Sequence, residues 1–263
     1  MCLIVIAWRA RDDLPLAVAA NRDEWRERPA EPARWWEGKP ELLAGRDLRA
    51  SGTWIGVTRT GRFAAVTNFR DPAERRSTAI SRGGLVTGYL RGDQAPEVFL
   101  AALAVRASGY NGFNLILGDG ESLWYFGSRE GVSRPIEPGV HALSNHLLDE
   151  PWPKVVKGRG AMEAALHAAD PAPRLFEALS DVDTPADESL PDTGVGMAWE
   201  RRLSSALITG ADYGTRCSTV IAFDARGGAV FEERTRGADG SVTGSVRYAF
   251  EISRFGAAQD AAG

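Results

Sequence analysis

The sequence predicts an α+β protein built from layered antiparallel sheets, and two observations carry that prediction. Apolar segments of strand length recur in pairs joined by short turns with Gly. Segments with helical spacing fall in blocks between those pairs instead of alternating with single strands, which argues against a Rossmann arrangement.

The elements follow in order. Residues 3–8 (LIVIAW) are a short continuous apolar run, read as a buried strand. Asp12-Asp13 supplies a turn and residues 16–20 return. Further hairpins span residues 53–69 with Thr60-Gly61 at the turn, 113–128 with Asp119-Gly120, and 218–233, followed by a strand over 246–252. Helical spacing marks residues 95–110, with Gly109 expected as the C-terminal cap, and then 155–170, 173–181 and 199–210. Residues 183–196 (DTPADESLPDTGVG) read as a surface loop, and about 257–263 as a frayed tail. No repeat or composition break divides the chain, so a single domain over 1–263 is expected.

Composition narrows the function classes. A net charge of −4 leaves no basic excess to displace counterions from nucleic acid. Cys2 and Cys217 allow at most one disulfide and have no zinc spacing, which fits the reduced cytoplasm. The apolar run at residues 3–8 stops at Arg9, too short for a membrane span, and no basic region precedes it as in a secretory signal. A lipoprotein cysteine follows its apolar stretch, whereas Cys2 precedes this one. Two readings of Cys2 remain: the start of a buried strand, or a nucleophile exposed when Met1 is removed. A freed α-amino group, with an ordinary pKa of about 7.7–8.0, can act as general base for the thiol of its own residue. No phosphate-cradle, zinc-protease or GxSxG motif is present, and His141, His146 and His167 form no metal-binding spacing.

Four ordered motifs decide between those readings. AANRDEWRERP, GRFAAVTNFRDP, HALSNHLLDEPWPKV and YGTRCSTVIAF, together with Cys2, resemble the NRDE family, also called the transport-and-Golgi-organisation protein 2 family. That family is in turn similar to N-terminal-nucleophile hydrolases of the bile-salt hydrolase, penicillin V acylase and acid ceramidase group. The resemblance implies a four-layer αββα sandwich. It also implies Cys2 as nucleophile, Asp23 (supported by Asn21 and Arg22) as orienter of the amine, and Asn68 and Asn145 as the oxyanion hole. Arg216 would lie near the thiol. Where the hydrolase group has an arginine three residues before the aspartate, this chain has Ala20, and Arg22 on the same strand face is the candidate replacement.

The activity so implied is hydrolysis of a non-peptide amide or acyl bond through a thioester, with no cofactor. The alternative is a carrier of haem or an acyl-lipid on the same fold, without chemistry. Trp25, Trp35, Trp36 and Trp54 near the site suit either use.

Overall fold

Leu3–Trp8 (β1) shows how the layers arise. Leu3, Val5 and Ala7 pack toward helices, while Ile4, Ile6 and Trp8 pack toward a second sheet. A strand apolar on both faces must be covered on both. The computed structural model describes residues 3–38, 41–74, 76 and 79–253. Cys2 and the tail at about 257–263 lie outside the described residues.

Two antiparallel sheets form the centre. The six-stranded sheet runs β10-β1-β2-β11-β12-β13, with β2 at Leu16–Trp25, β10 at Gly139–Leu143, β11 at Tyr213–Phe223, β12 at Gly228–Arg236 and β13 at Val242–Glu251. The seven-stranded sheet runs β3 through β9 in sequence order: Ala30–Trp36, Leu42–Asp47, Ile55–Thr58, Phe63–Asn68, Phe113–Gly118, Leu123–Gly127 and Val132–Pro135. Helices α3 (Pro153–Ala165) and α4 (Ala172–Ala178) cover the first sheet, and α1 (Gly83–Arg91) and α2 (Pro96–Ala104) cover the second. The order is α, β, β, α, as the resemblance implies.

The expected hairpins form, with Gly61, Gly120 and Gly227 taking positive φ at their turns. Other expectations needed correction. The helix expected over 95–110 ends at Ala104, because its apolar stripe ends at Leu103 and Val105 is 89% exposed. A separate 3-10 turn, Ala107–Gly109, follows, and Gly109 is not the positive-φ cap expected of it. The helix expected over 199–210 is α5, Met197–Arg202, and it stops where the Ser204 hydroxyl donates to the Arg201 carbonyl (2.7 Å).

One close approach fixes the strand that supports the site. A Cβ on Gly52 would lie 2.5 Å from the carbonyl carbon of Gly83, the first residue of α1. The Gly52 carbonyl accepts from the Asp47 N–H (2.9 Å), so this contact holds the end of β4. Gly52→Ala is therefore expected to cost about 1–3 kcal/mol, read as a lower urea midpoint with an unchanged slope. Gly84→Ala, where the added methyl meets nothing, is expected to cost nothing measurable.

Candidate active site

The site is built on β2. Alternation along the strand sends Asn21 and Asp23 to one face and Arg22 to the other. Asn21 donates from Nδ2 to the carbonyls of Leu179 (2.8 Å) and Ala206 (2.7 Å), tying the chain beyond α4 to the sheet. Arg22 lies between the sheets, 4.3 Å above the Trp54 ring and 3.3 Å from Asp47 Oδ2. Ala20 shares that interior face.

Asp23 is buried, and its Oδ1 accepts from the Thr215 hydroxyl at 2.6 Å. Thr215 Oγ1 in turn accepts the Ile208 N–H (2.9 Å), which fixes the rotamer of the carboxylate. The other oxygen, Oδ2, is buried and has no hydrogen-bond partner among the described residues. A buried acceptor left unmatched costs free energy, so this one needs a donor.

A bulge in β11 creates the geometry around it. Thr215 pairs with Asp23 and Cys217 with Arg22, leaving Arg216 as the extra residue. Freed from the ladder, Arg216 Nη1 donates to the carbonyls of Trp25 (3.0 Å), Arg26 (3.3 Å) and Arg28 (3.0 Å). Burial, followed by repulsion from Arg22 and Arg26, lowers its pKa from the usual arginine value. The guanidinium thus braces the turn after β2, and Arg216 is not among the residues lining the cleft described next.

That cleft, about 620 Å³, opens where the ends of the two sheets meet. Asp23 from β2, Asn68 from the end of β6, and Asn145 after β10 all line it. The asparagines touch across the gap between the sheets: Asn145 Nδ2 donates to the Asn68 carbonyl at 2.9 Å. One hydrogen of the Asn145 amide remains for another acceptor. Of the four tryptophans singled out from sequence, Trp25 lines the cleft and Trp54 lies under Arg22. Trp35 packs on Tyr248 and Phe250, and Trp36 donates to the Ala44 carbonyl. Tyr213 and Arg70 also line the cleft and were not singled out from sequence, although both stand inside the quoted motifs.

The family model described as Transport and Golgi organisation 2 matches residues 1–238. The chain belongs to that family. It is 33% identical over 258 residues to the Transport and Golgi organization 2 homolog of Mus musculus, covering 89% of this chain and 93% of that protein. The Homo sapiens homolog is 34% identical over the same coverage. Among solved structures, an N-acylethanolamine-hydrolyzing acid amidase ortholog from Caenorhabditis elegans superposes with a TM-score of 0.51 at 8% identity, over 84% of this chain and 92% of that one. The C2A mutant of the conjugated bile acid hydrolase from Clostridium perfringens gives 0.51 at 8%, over 96% and 92%. The chain therefore has the N-terminal-nucleophile hydrolase fold.

Among the described residues of this family member, no three His, Cys, Asp or Glu side chains gather as a metal site requires, and no helix is long and apolar enough to cross a membrane. Cys217 is free and buried, and burial, with Glu233 beside it, pushes its thiol well above the usual range.

The loop carrying Asn145 is stapled by His141. Its Nδ1 lies 2.7 Å from Asp149 Oδ2 and its Nε2 lies 2.9 Å from the Glu137 carbonyl. The hydrogen bond to Asp149 raises the His141 pKa above 6.5. Burial alone would raise Asp149, but the bonds from His141 and the Ala142 N–H outweigh it and hold Asp149 below 3.8. The histidine contribution is complete below pH 6.5 and fades as pH rises through its raised pKa. The aspartate contribution is complete above pH 3.8 and fades as pH falls through its lowered pKa. Asp149→Asn should therefore destabilise most near pH 5, by about 1 kcal/mol. The loss should shrink toward pH 3 and pH 9 when thermal midpoints are compared with the unaltered protein.

Proposed function

We propose that this chain is an N-terminal-nucleophile amidohydrolase acting on a non-peptide amide or acyl bond. The observation that carries the reading is Asp23 Oδ2, buried with no donor among the described residues while Oδ1 is held by Thr215. Leu3, the first described residue, pairs with Asn21, so the chain enters β1 alongside the Asn21–Asp23 stretch. Removal of Met1 would release an α-amino group at Cys2, and that amine would supply the donor that Asp23 Oδ2 does not find among the described residues.

The chemistry then follows. The Cys2 thiol passes its proton to the amine, and sulfur attacks the carbonyl carbon. The charge growing on the carbonyl oxygen is met by the remaining Asn145 N–H and by Asn68. The amine returns the proton to the leaving nitrogen, the C–N bond breaks, and water hydrolyses the thioester. Asn21 and Arg22 support the strand, and Arg216 holds the turn beyond it. The solved neighbours favour the same class, being named as an amidase and a conjugated bile acid hydrolase. A reducing compartment such as the cytoplasm suits a thiol nucleophile and a free Cys217.

A carrier reading is favoured by a different feature, an apolar cavity of about 250 Å³ between α3, α4 and the first sheet, lined by Leu3, Val5, Ala19, Gly158, Ala161 and Leu179 among others. This second reading is a carrier of an acyl-lipid or haem, and of side chains that ligate haem iron the described lining of the cleft offers Tyr213.

The test is labelling and turnover on cell-produced protein. Intact mass should show loss of Met1, and iodoacetamide should modify Cys2 in preference to Cys217. Cys2→Ala should stay folded and lose hydrolysis of a panel of acyl 4-nitroanilides. Asn145→Ala should lower kcat by roughly 10²–10³ with KM little changed. Retained Met1, or full turnover by Cys2→Ala, would overturn the proposal.

A further inference from the structure

Arg70 joins the two sides of the cleft, and nothing in the reaction outlined above uses it. Its backbone N–H donates to the Asn145 carbonyl at 2.7 Å, and its Nη2 reaches Asn145 Oδ1 at 3.4 Å. Its Nη1 donates to Glu200 Oε2 at 2.7 Å, and the guanidinium lies 4.9 Å from the Trp152 ring centroid. The Arg70 side chain is 9% exposed and that of Glu200 only 2%, so this ion pair is buried. Glu200 is itself anchored, its Oε1 accepting the Thr193 N–H (2.8 Å) and hydroxyl (2.6 Å).

The consequence for Asn145 is geometric. A primary amide can turn over, exchanging its oxygen and nitrogen, and the two orientations differ in which group faces the cleft. A cation beside Oδ1 and a carbonyl acceptor beside Nδ2 favour the same orientation from both ends. In that orientation the second amide hydrogen is unclaimed by Asn68. We infer that Arg70 is the positioning residue of the oxyanion hole: held by Glu200 and Trp152, it keeps the Asn145 amide turned with N–H toward the reacting carbonyl. This rests on the hydrolase reading, and its test separates the two.

The probe is 4-nitrophenyl acetate, compared with iodoacetamide. In the first reaction the Cys2 sulfur bonds to the acetyl carbon and 4-nitrophenolate leaves, with charge passing through the carbonyl oxygen. In the second, sulfur displaces iodide from a CH₂ group and no oxyanion forms. The ratio of the two rates at Cys2, read by peptide mass, isolates the oxyanion hole from thiol reactivity and from overall folding. Arg70→Lys keeps a cation for Glu200 but loses the fork that also reaches Asn145.

Arg70→Lys is expected to lower the ratio by roughly 10–100-fold while leaving the iodoacetamide rate unchanged. Placed in an Asn145→Ala background, it is expected to change nothing further, because Arg70 acts through that amide. Arg70→Met/Glu200→Leu, which removes the whole buried pair without stranding a charge, should show the same loss and the same dependence on Asn145. An unchanged ratio in both variants, or equal losses with and without Asn145, overturns the role of Arg70 and leaves the hydrolase reading standing. No acetylation of Cys2 in the unaltered protein overturns both.

Discussion

The pairing of Thr215 with Asp23 across β2 and β11 is the contact on which the rest of the site depends. Placing a carboxylate inside a protein is unfavourable unless its oxygens are matched. Here one oxygen is matched by a hydroxyl that is itself fixed by the Ile208 N–H. The bulge at Arg216 makes that match possible, because it brings Thr215 opposite Asp23 while Cys217 stays opposite Arg22. The same extra residue reaches over to the turn carbonyls and so determines how β2 leaves the sheet. Strand, bulge and carboxylate form one unit.

Around that unit the buried charges are arranged in chains. Arg22 and Arg28 share Asp47, which also accepts the N–H groups of Arg49 and Ala50. Burial by itself would raise Asp47, but the Arg28 hydrogen bond and these partners hold it below its ordinary value. Arg70 and Glu200 make a second chain on the other side of the cleft. Such pairs add little net stability over apolar packing, yet they impose one geometry, since breaking either leaves a charge stranded. A cleft walled by fixed pairs suits a reaction in which a carbonyl oxygen must meet its donors without rearrangement.

Much of the fold was legible because its strands are short apolar runs punctuated by glycine turns: β1 and the hairpins at Gly61, Gly120 and Gly227 follow from pattern alone. The missed elements break that pattern for physical reasons. β3 carries Pro32 and an irregular register between Glu31 and Arg34, β4 carries Gly45 under the Trp54 ring, and α1 carries Gly83, Gly84 and Gly88. Asp23, Asn68 and Asn145 could be named from motifs, and they do line one cleft. Arg70 and Thr215 could not be given roles, because their partners lie 75 and 192 residues away in sequence. The meeting of the two sheets creates the contact of Arg70 with Asn145, and the pairing of β2 with β11 inside one sheet creates that of Thr215 with Asp23.

On the hydrolase reading, Asp23 Oδ2 is held ready for the α-amine of Cys2. A high-resolution crystal structure of the protein matured in cells tests it most directly. The hydrolase reading predicts a chain that begins at Cys2, with its α-nitrogen within about 3 Å of Asp23 Oδ2. A chain that retains Met1, or an Asp23 Oδ2 paired with some other group while the residue 2 amine lies elsewhere, would contradict it.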